Sequence, residues 1–111
     1  MVTSLKRQKI ASAIKKTLGE IFIKEQLTNI TLTDVRVSNR LEVAKVYYNI
    51  FDLQTTKDRS IIQKYLSQKQ PYFRHLIAEK LNLRSTPLLI FQYDETEERA
   101  NRIHNLINEV G

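Results

Sequence analysis

The chain has 111 residues, 41% apolar and 27% charged, with 18 Lys and Arg against 12 Asp and Glu, for a net charge of +6. That is enough for one domain, residues 1–111, with a single core and no room for a separate catalytic domain, and no apolar run reaches the length of a membrane span. The lack of cysteine excludes disulfides, thiolate nucleophiles and cysteine-bound metals, and an N-terminal stretch without the apolar core of a signal peptide makes the cytoplasm the expected location.

From Leu5 to about Gln26 the residues Ile10, Ile14, Leu18, Ile21 and Phe22 recur at helical spacing, with Thr3 or Ser4 placed to cap the first turn. Lys6, Lys9, Lys16 and Lys24 fall mostly off that stripe, so they face outward while the stripe faces the core. Gly19 interrupts the helix at a cost of roughly 1 kcal/mol relative to Ala, which a close crossing over a sheet accounts for.

Thr31–Ser38 and Val43–Asp52 are rich in β-branched and aromatic residues and are joined by a hairpin at Asn39-Arg-Leu-Glu42. In the second strand Ala44, Val46, Tyr48 and Ile50 share one face and Val43, Lys45, Tyr47 and Phe51 the other. One face is expected under helices, the other open to a partner. In the first strand Ile30 and Leu32 are out of phase with Val35 and Val37, which predicts a bulge near Thr33.

Ile61, Ile62, Tyr65 and Leu66 predict a second helix over about residues 56–70, and Phe73, Leu76, Ile77 and Leu81 a third from Pro71, which marks a kink or a fresh start. Asn82 or Leu83 ends it. A third strand over Pro87–Tyr93 puts Leu89, Phe91 and Tyr93 on one side. Asp94 with Glu97 then resembles a capping box for a last helix with Ala100, Ile103, Leu106, Ile107 and Val110 as its buried stripe. The order αββααβ plus a final helix suits an α+β domain with helices on one face of a three-stranded sheet.

With glycine only at positions 19 and 111 there is no phosphate-binding loop and no dinucleotide fingerprint. His75 and His104 lie on different predicted helices, and no metal or other cofactor is expected. Ser38 and Ser85 lack the context of a nucleophile elbow. Asp94 and Glu97 are accounted for by capping, so no catalytic role is expected.

Basic residues carry the remaining signal. Residues 1–25 hold six Lys and Arg against two acids, residues 57–84 hold seven against two, and residues 26–56 balance at three each. Two such blocks are the footprint of a polyanion, although Lys-rich helices also serve as plain solvated faces. The candidate RNA-binding residues are Lys6, Arg7, Lys9, Arg36, Lys45, Lys69, Arg74, Lys80 and Arg84, because Lys and Arg neutralise phosphates and Arg also stacks on bases. Tyr47 and Tyr48 are candidate stacking platforms, and alternation assigns at least one of them to the core.

The twelve residues from Leu83 to Asp94, Leu-Arg-Ser-Thr-Pro-Leu-Leu-Ile-Phe-Gln-Tyr-Asp, resemble the closing strand of the ribosome-binding factor A family. So do Val35-Arg-Val-Ser38 followed by Leu41, Ala44, Val46 and Tyr47, and Arg7 in a first helix with Ile10, Ile14, Leu18 and Ile21. The resemblance spans about residues 5–107. It implies a KH-like (type II) fold and a non-enzymatic assembly factor that binds the free 30S small subunit through 16S rRNA. It also implies promotion of 16S processing and late maturation, and a role in growth in the cold. Arg7 and Arg84 match family motif positions. Lys69-Gln-Pro71 aligns where the family has an Ala-x-Gly kink between two helices. The protein is expected to act as a monomer, without a membrane or a small-molecule substrate.

Other readings remain open on the residues alone: a KH-like module for single-stranded RNA, a small enzyme or accessory subunit using His75 or Asp94, and an interaction protein whose basic helices meet acidic protein surfaces. The first lacks the Gly-x-x-Gly clamp of true K-homology domains.

Overall fold

The computed structural model describes residues 4–51 and 56–96. Within them run α1 (Ser4–Lys24), β1 (Ile30–Val37), β2 (Val43–Ile50), α2 (Thr56–Leu81) and β3 (Leu88–Tyr93). The residues of the expected C-terminal helix from Glu97 onward, His104 among them, lie outside the described residues.

Helix α1 buries Ile14, Thr17, Leu18, Ile21 and Phe22, the stripe its spacing predicts. It ends two residues earlier than expected. Gln26 takes a left-handed conformation with φ of 61°, and the Leu27 amide donates to the Phe22 carbonyl at 2.8 Å, closing the helix end. Gly19 does not mark a close crossing: a Cβ built there meets nothing within 4 Å. Replacing Gly19 by Ala is therefore expected to stabilise the protein by about 0.5–1 kcal/mol, through lower unfolded-state entropy and better helix propensity. Chemical denaturation checks this, and a destabilised Gly19→Ala would contradict the open space.

The two helices expected on either side of Pro71 are one helix, a correction with a physical reason. Leu66, Phe73 and Ile77 are fully buried and lie seven and four residues apart, so a single apolar stripe runs straight past the proline. Burial along that stripe outweighs the proline's cost of about 3 kcal/mol. Pro71 itself is exposed, where water can serve the Ser67 carbonyl that loses its amide donor.

The sheet has the order β1-β2-β3, with β1 antiparallel and β3 parallel to β2. The long α2 supplies the crossover that a parallel pair needs. The register of β1 slips between Leu32 and Asp34, the bulge predicted near Thr33. Beyond it Val35 and Val37 join Ala44, Val46, Tyr48, Ile50, Leu89, Phe91 and Tyr93 on the inner face. There α1 packs on β1 and α2 on β3. Tyr48 is fully buried, whereas Tyr47 lies on the opposite, open face.

Among the described residues β3 is an edge strand, and α2 seals its outer side. Gln70 Oε1 accepts the Leu89 amide at 3.0 Å, and Gln63 Nε2 donates to the Phe91 carbonyl at 2.8 Å. The two glutamines are seven residues apart, so they stand on one side of the helix. The buried Tyr48 hydroxyl donates to Gln63 Oε1 and fixes that amide's orientation. Side chains thus occupy outward-facing backbone groups of an edge that is otherwise a template for aggregation.

At the far end of β3 Asp94 binds its neighbours, while Glu97, its expected capping-box partner, lies outside the described residues. Asp94 Oδ1 accepts the Thr96 amide at 3.0 Å, and Oδ2 accepts the Thr33 hydroxyl at 2.6 Å. These bonds, Thr33's first, hold the Asp94 carboxyl down from its ordinary 3.8 to about 2. A carboxylate whose folded pKa is depressed stabilises the fold above its unfolded pKa and loses that contribution as pH falls through its folded value. Acid destabilisation between about pH 4 and pH 2 should therefore be shallower in Asp94→Asn. Thr33→Val should raise the Asp94 pKa in an NMR titration, and an unmoved midpoint would refute the assignment to Thr33.

Candidate nucleic-acid interface

Three segments distant in sequence meet at one end of the molecule. The first is the start of α1, where Lys6 and Ile10 stand four residues apart on one helix face. The second is the β1–β2 hairpin. Its Ser38 Oγ accepts the Glu42 and Val43 amides, each at 3.0 Å, and the Leu41 amide donates to the Ser38 carbonyl at 2.9 Å. Leu41 adopts a left-handed φ of 61°. These bonds hold the loop in one shape with Arg40 exposed near its tip.

The third segment leaves α2. Asn82 ends the helix in a left-handed conformation, φ 49°, with its amide on the Ala78 carbonyl at 3.0 Å. Asn tolerates that conformation better than most residues. The chain then runs through Leu83 and Arg84 to Thr86 and Pro87, both buried. Arg74 reaches over from α2 and donates from Nε and Nη2 to the Thr86 carbonyl at 3.0 and 2.6 Å. The Leu88 amide donates to the Glu42 carbonyl at 2.9 Å, joining this segment to the hairpin.

Between the three lies a cleft of about 820 Å³, lined by Lys6, Arg40, Arg74 and Arg84, with Glu42 its one acidic residue. Ile10, Leu41, Leu83 and Pro87 supply apolar lining. A concave wall with four cations and one anion focuses positive potential on whatever enters it.

Of the nine candidate cations, Lys6, Arg74 and Arg84 line this cleft. Arg7 flanks it, its guanidinium donating to Asn39 Oδ1 beside Arg40. Lys9 is exposed on α1, three residues from Lys6. The other four lie elsewhere, so the candidates do not form one continuous patch. Arg36 and Lys45 are cross-strand partners on the open sheet face. There Arg36 pairs with Asp34 at 3.0 Å, which raises its pKa, and stands 5.6 Å from the Tyr47 ring centre. The Lys69 ammonium lies 4.3 Å over the Tyr72 ring. Lys80 borders a groove between the helices together with Glu20, Glu25 and Glu79.

Arg74 serves first as a strut, since two of its donors are spent on a backbone carbonyl. Arg40, which sequence reasoning passed over, belongs to the cleft. Its only signal was an arginine in a four-residue hairpin connection.

His75 and Asp94, the two candidates for a catalytic role, are separated. His75 pairs with Glu79 at 3.0 Å on α2, near the end of the helix that leads into β3. Asp94 lies past the far end of that six-residue strand, roughly 20 Å along at 3.3 Å per residue. Asp94 is also an anion at neutral pH and has no proton to give.

Comparison with known proteins completes the picture. The family model described as ribosome-binding factor A matches residues 6–107. A ribosome-binding factor A from Coxiella burnetii is 41% identical over 108 residues, covering 94% of this chain and 88% of the relative. The solution NMR structure of a candidate ribosome binding factor A from Thermotoga maritima superposes with a TM-score of 0.71 at 25% identity, over 86% of this chain and 93% of that one. A homology model of the Thermus thermophilus ribosome binding factor A, fitted into a cryo-electron-microscopy map of a 30S complex, gives a TM-score of 0.50 at 23% identity. It covers 60% of this chain and 67% of its own. The fold is thus α+β and KH-like.

Proposed function

This chain belongs to the ribosome-binding factor A family, and on that footing we propose that it binds the free 30S small subunit through 16S rRNA and promotes 16S processing and late subunit maturation without catalysing a reaction itself. The observation that carries this reading is the meeting of Lys6, Arg40, Arg74 and Arg84, from three separate segments, in one cleft. Clustered cations on a rigid frame suit a folded polyanion: they bind one arrangement of an RNA junction more tightly than another and so bias it. Release follows when the mature arrangement withdraws those contacts. The same bias accounts for a role in the cold, where misfolded RNA persists.

The four-nucleotide clamp of true K-homology domains gains no support. Its Gly-x-x-Gly loop is missing, and the corresponding stretch is an unbroken helix through Pro71.

Sucrose-gradient fractionation tests the proposal. The protein is expected to travel with free small subunits, as a monomer when unbound, and its loss is expected to leave 16S precursor ends uncut. Sedimentation away from the small subunit, or normal 16S ends in its absence, would reject it.

A further inference from the structure

In this cleft four cations and four apolar side chains share one concave surface, and that combination says more about the RNA than charge alone. Phosphate binding needs only the cations. The apolar side chains beside them, Ile10 and Leu41 being the outer edge of the core, offer a surface that a phosphate does not use and a base does. Here Ile10, Leu41 and Leu83 are partly buried, leaving part of each side chain open, and the buried Pro87 adds to the lining. Its volume of about 820 Å³ falls within the roughly 300–1,000 Å³ typical of small-ligand pockets. A duplex keeps its bases stacked inside and presents phosphates and groove edges, so it can touch the rim but cannot fill such a hollow.

We propose that the cleft takes an unpaired nucleotide of the RNA, its base seated on Ile10, Leu41 and Leu83 and its flanking phosphates on Lys6, Arg40 and Arg84. This rests on the proposed function and names what that site recognises: a single unstacked nucleotide at a junction or strand end. The frame is prepared for it. Ser38 Oγ fixes the hairpin that carries Arg40 and Leu41, and Arg74 fixes the Thr86 carbonyl behind Arg84. Glu42, the one acid on the lining, is positioned to accept a hydrogen bond from an exocyclic amino group and to repel a misplaced phosphate.

The full-length protein is titrated with short unpaired adenosine and uridine oligoribonucleotides and, separately, with an RNA hairpin of equal charge whose strands are fully paired and joined by a non-nucleotide linker. Methyl NMR spectra of Ile10, Leu41 and Leu83 are followed in both titrations. A base lying on these methyls shifts them upfield through its ring current. The expected result is such shifts with the oligomers and none with the hairpin, together with tighter binding of the oligomers. Leu41→Asn, which tolerates the left-handed backbone, should weaken oligomer binding about 5- to 20-fold, the loss of about 1–2 kcal/mol of apolar contact, and leave hairpin binding unchanged.

Equal affinity for hairpin and oligomer, or unshifted methyls on saturation, overturns the proposal. Retained small-subunit association with unshifted methyls would sink the nucleotide seat and spare the proposed function, whereas oligomer binding without small-subunit association would do the reverse. Should Leu41→Asn prove unstable, the methyl shifts of the unmodified protein decide alone.

Discussion

Lys6→Glu, Arg40→Glu and Arg84→Glu combined are expected to weaken association with the small subunit by on the order of 100-fold at low salt while leaving thermal unfolding nearly unchanged. Each reversal removes a charge-assisted contact to phosphate, and surface positions away from packed features usually change stability by less than about 0.5 kcal/mol. Salt dependence provides the sharper readout. A slope near −0.9 per phosphate for a duplex, and about −0.7 for a single strand, means that losing three contacts should flatten the log-affinity against log-salt line by about two to three. Unchanged slope in the triple variant would show that the phosphates lie elsewhere. Arg74 is excluded from this set on structural grounds. Its two donors hold the Thr86 carbonyl, so reversing it would test the frame as much as the interface.

Phe73→Ala should be the most damaging single change in the core. Phe73 is fully buried, and its ring lies 5.3 Å from that of Phe22 on α1 and 6.0 Å from that of Phe91 on β3. One side chain thus joins both helices to the sheet. Truncating a buried phenylalanine costs about 3–5 kcal/mol, because lost transfer energy adds to an unfilled cavity. Against a typical total of roughly 5–15 kcal/mol, that is a large share of the stability. Urea denaturation should show a midpoint far below the parent's. Tyr72→Ala, at the neighbouring exposed position, should lose much less, keeping the Phe73 contacts with Phe22 and Phe91 intact. Comparable losses at both positions would contradict this account of the core.

The pattern of apolar residues was a reliable guide wherever burial decides structure. Period-2 alternation in Val43–Ile50 assigned Ala44, Val46, Tyr48 and Ile50 to one face, and the phase break in β1 placed the bulge beside Thr33. Local signals failed where a long-range stripe overrode them. Pro71 reads as a break because proline lacks an amide, yet the stripe of Leu66, Phe73 and Ile77 continues across it. Gly19 reads as a close approach, yet the space beside it is open. Burial on one side of a helix is a sum over many residues, and no single residue announces it.

Charge behaves differently, because a cation's position along the chain says nothing about its neighbours in space. Within the described residues the sequence by itself determined the element types and the core stripes, and over the whole chain the excess of Lys and Arg. Only the tertiary structure decided which of those cations act together. It gathered Lys6, Arg74 and Arg84 and added Arg40, while sending Arg36 and Lys45 to the open sheet face and Lys69 and Lys80 to the helical side. The physical reason is that apolar side chains must be buried and so constrain the backbone. Exposed cations merely ride on that backbone, and their convergence follows from where the packing of the core brings the chain.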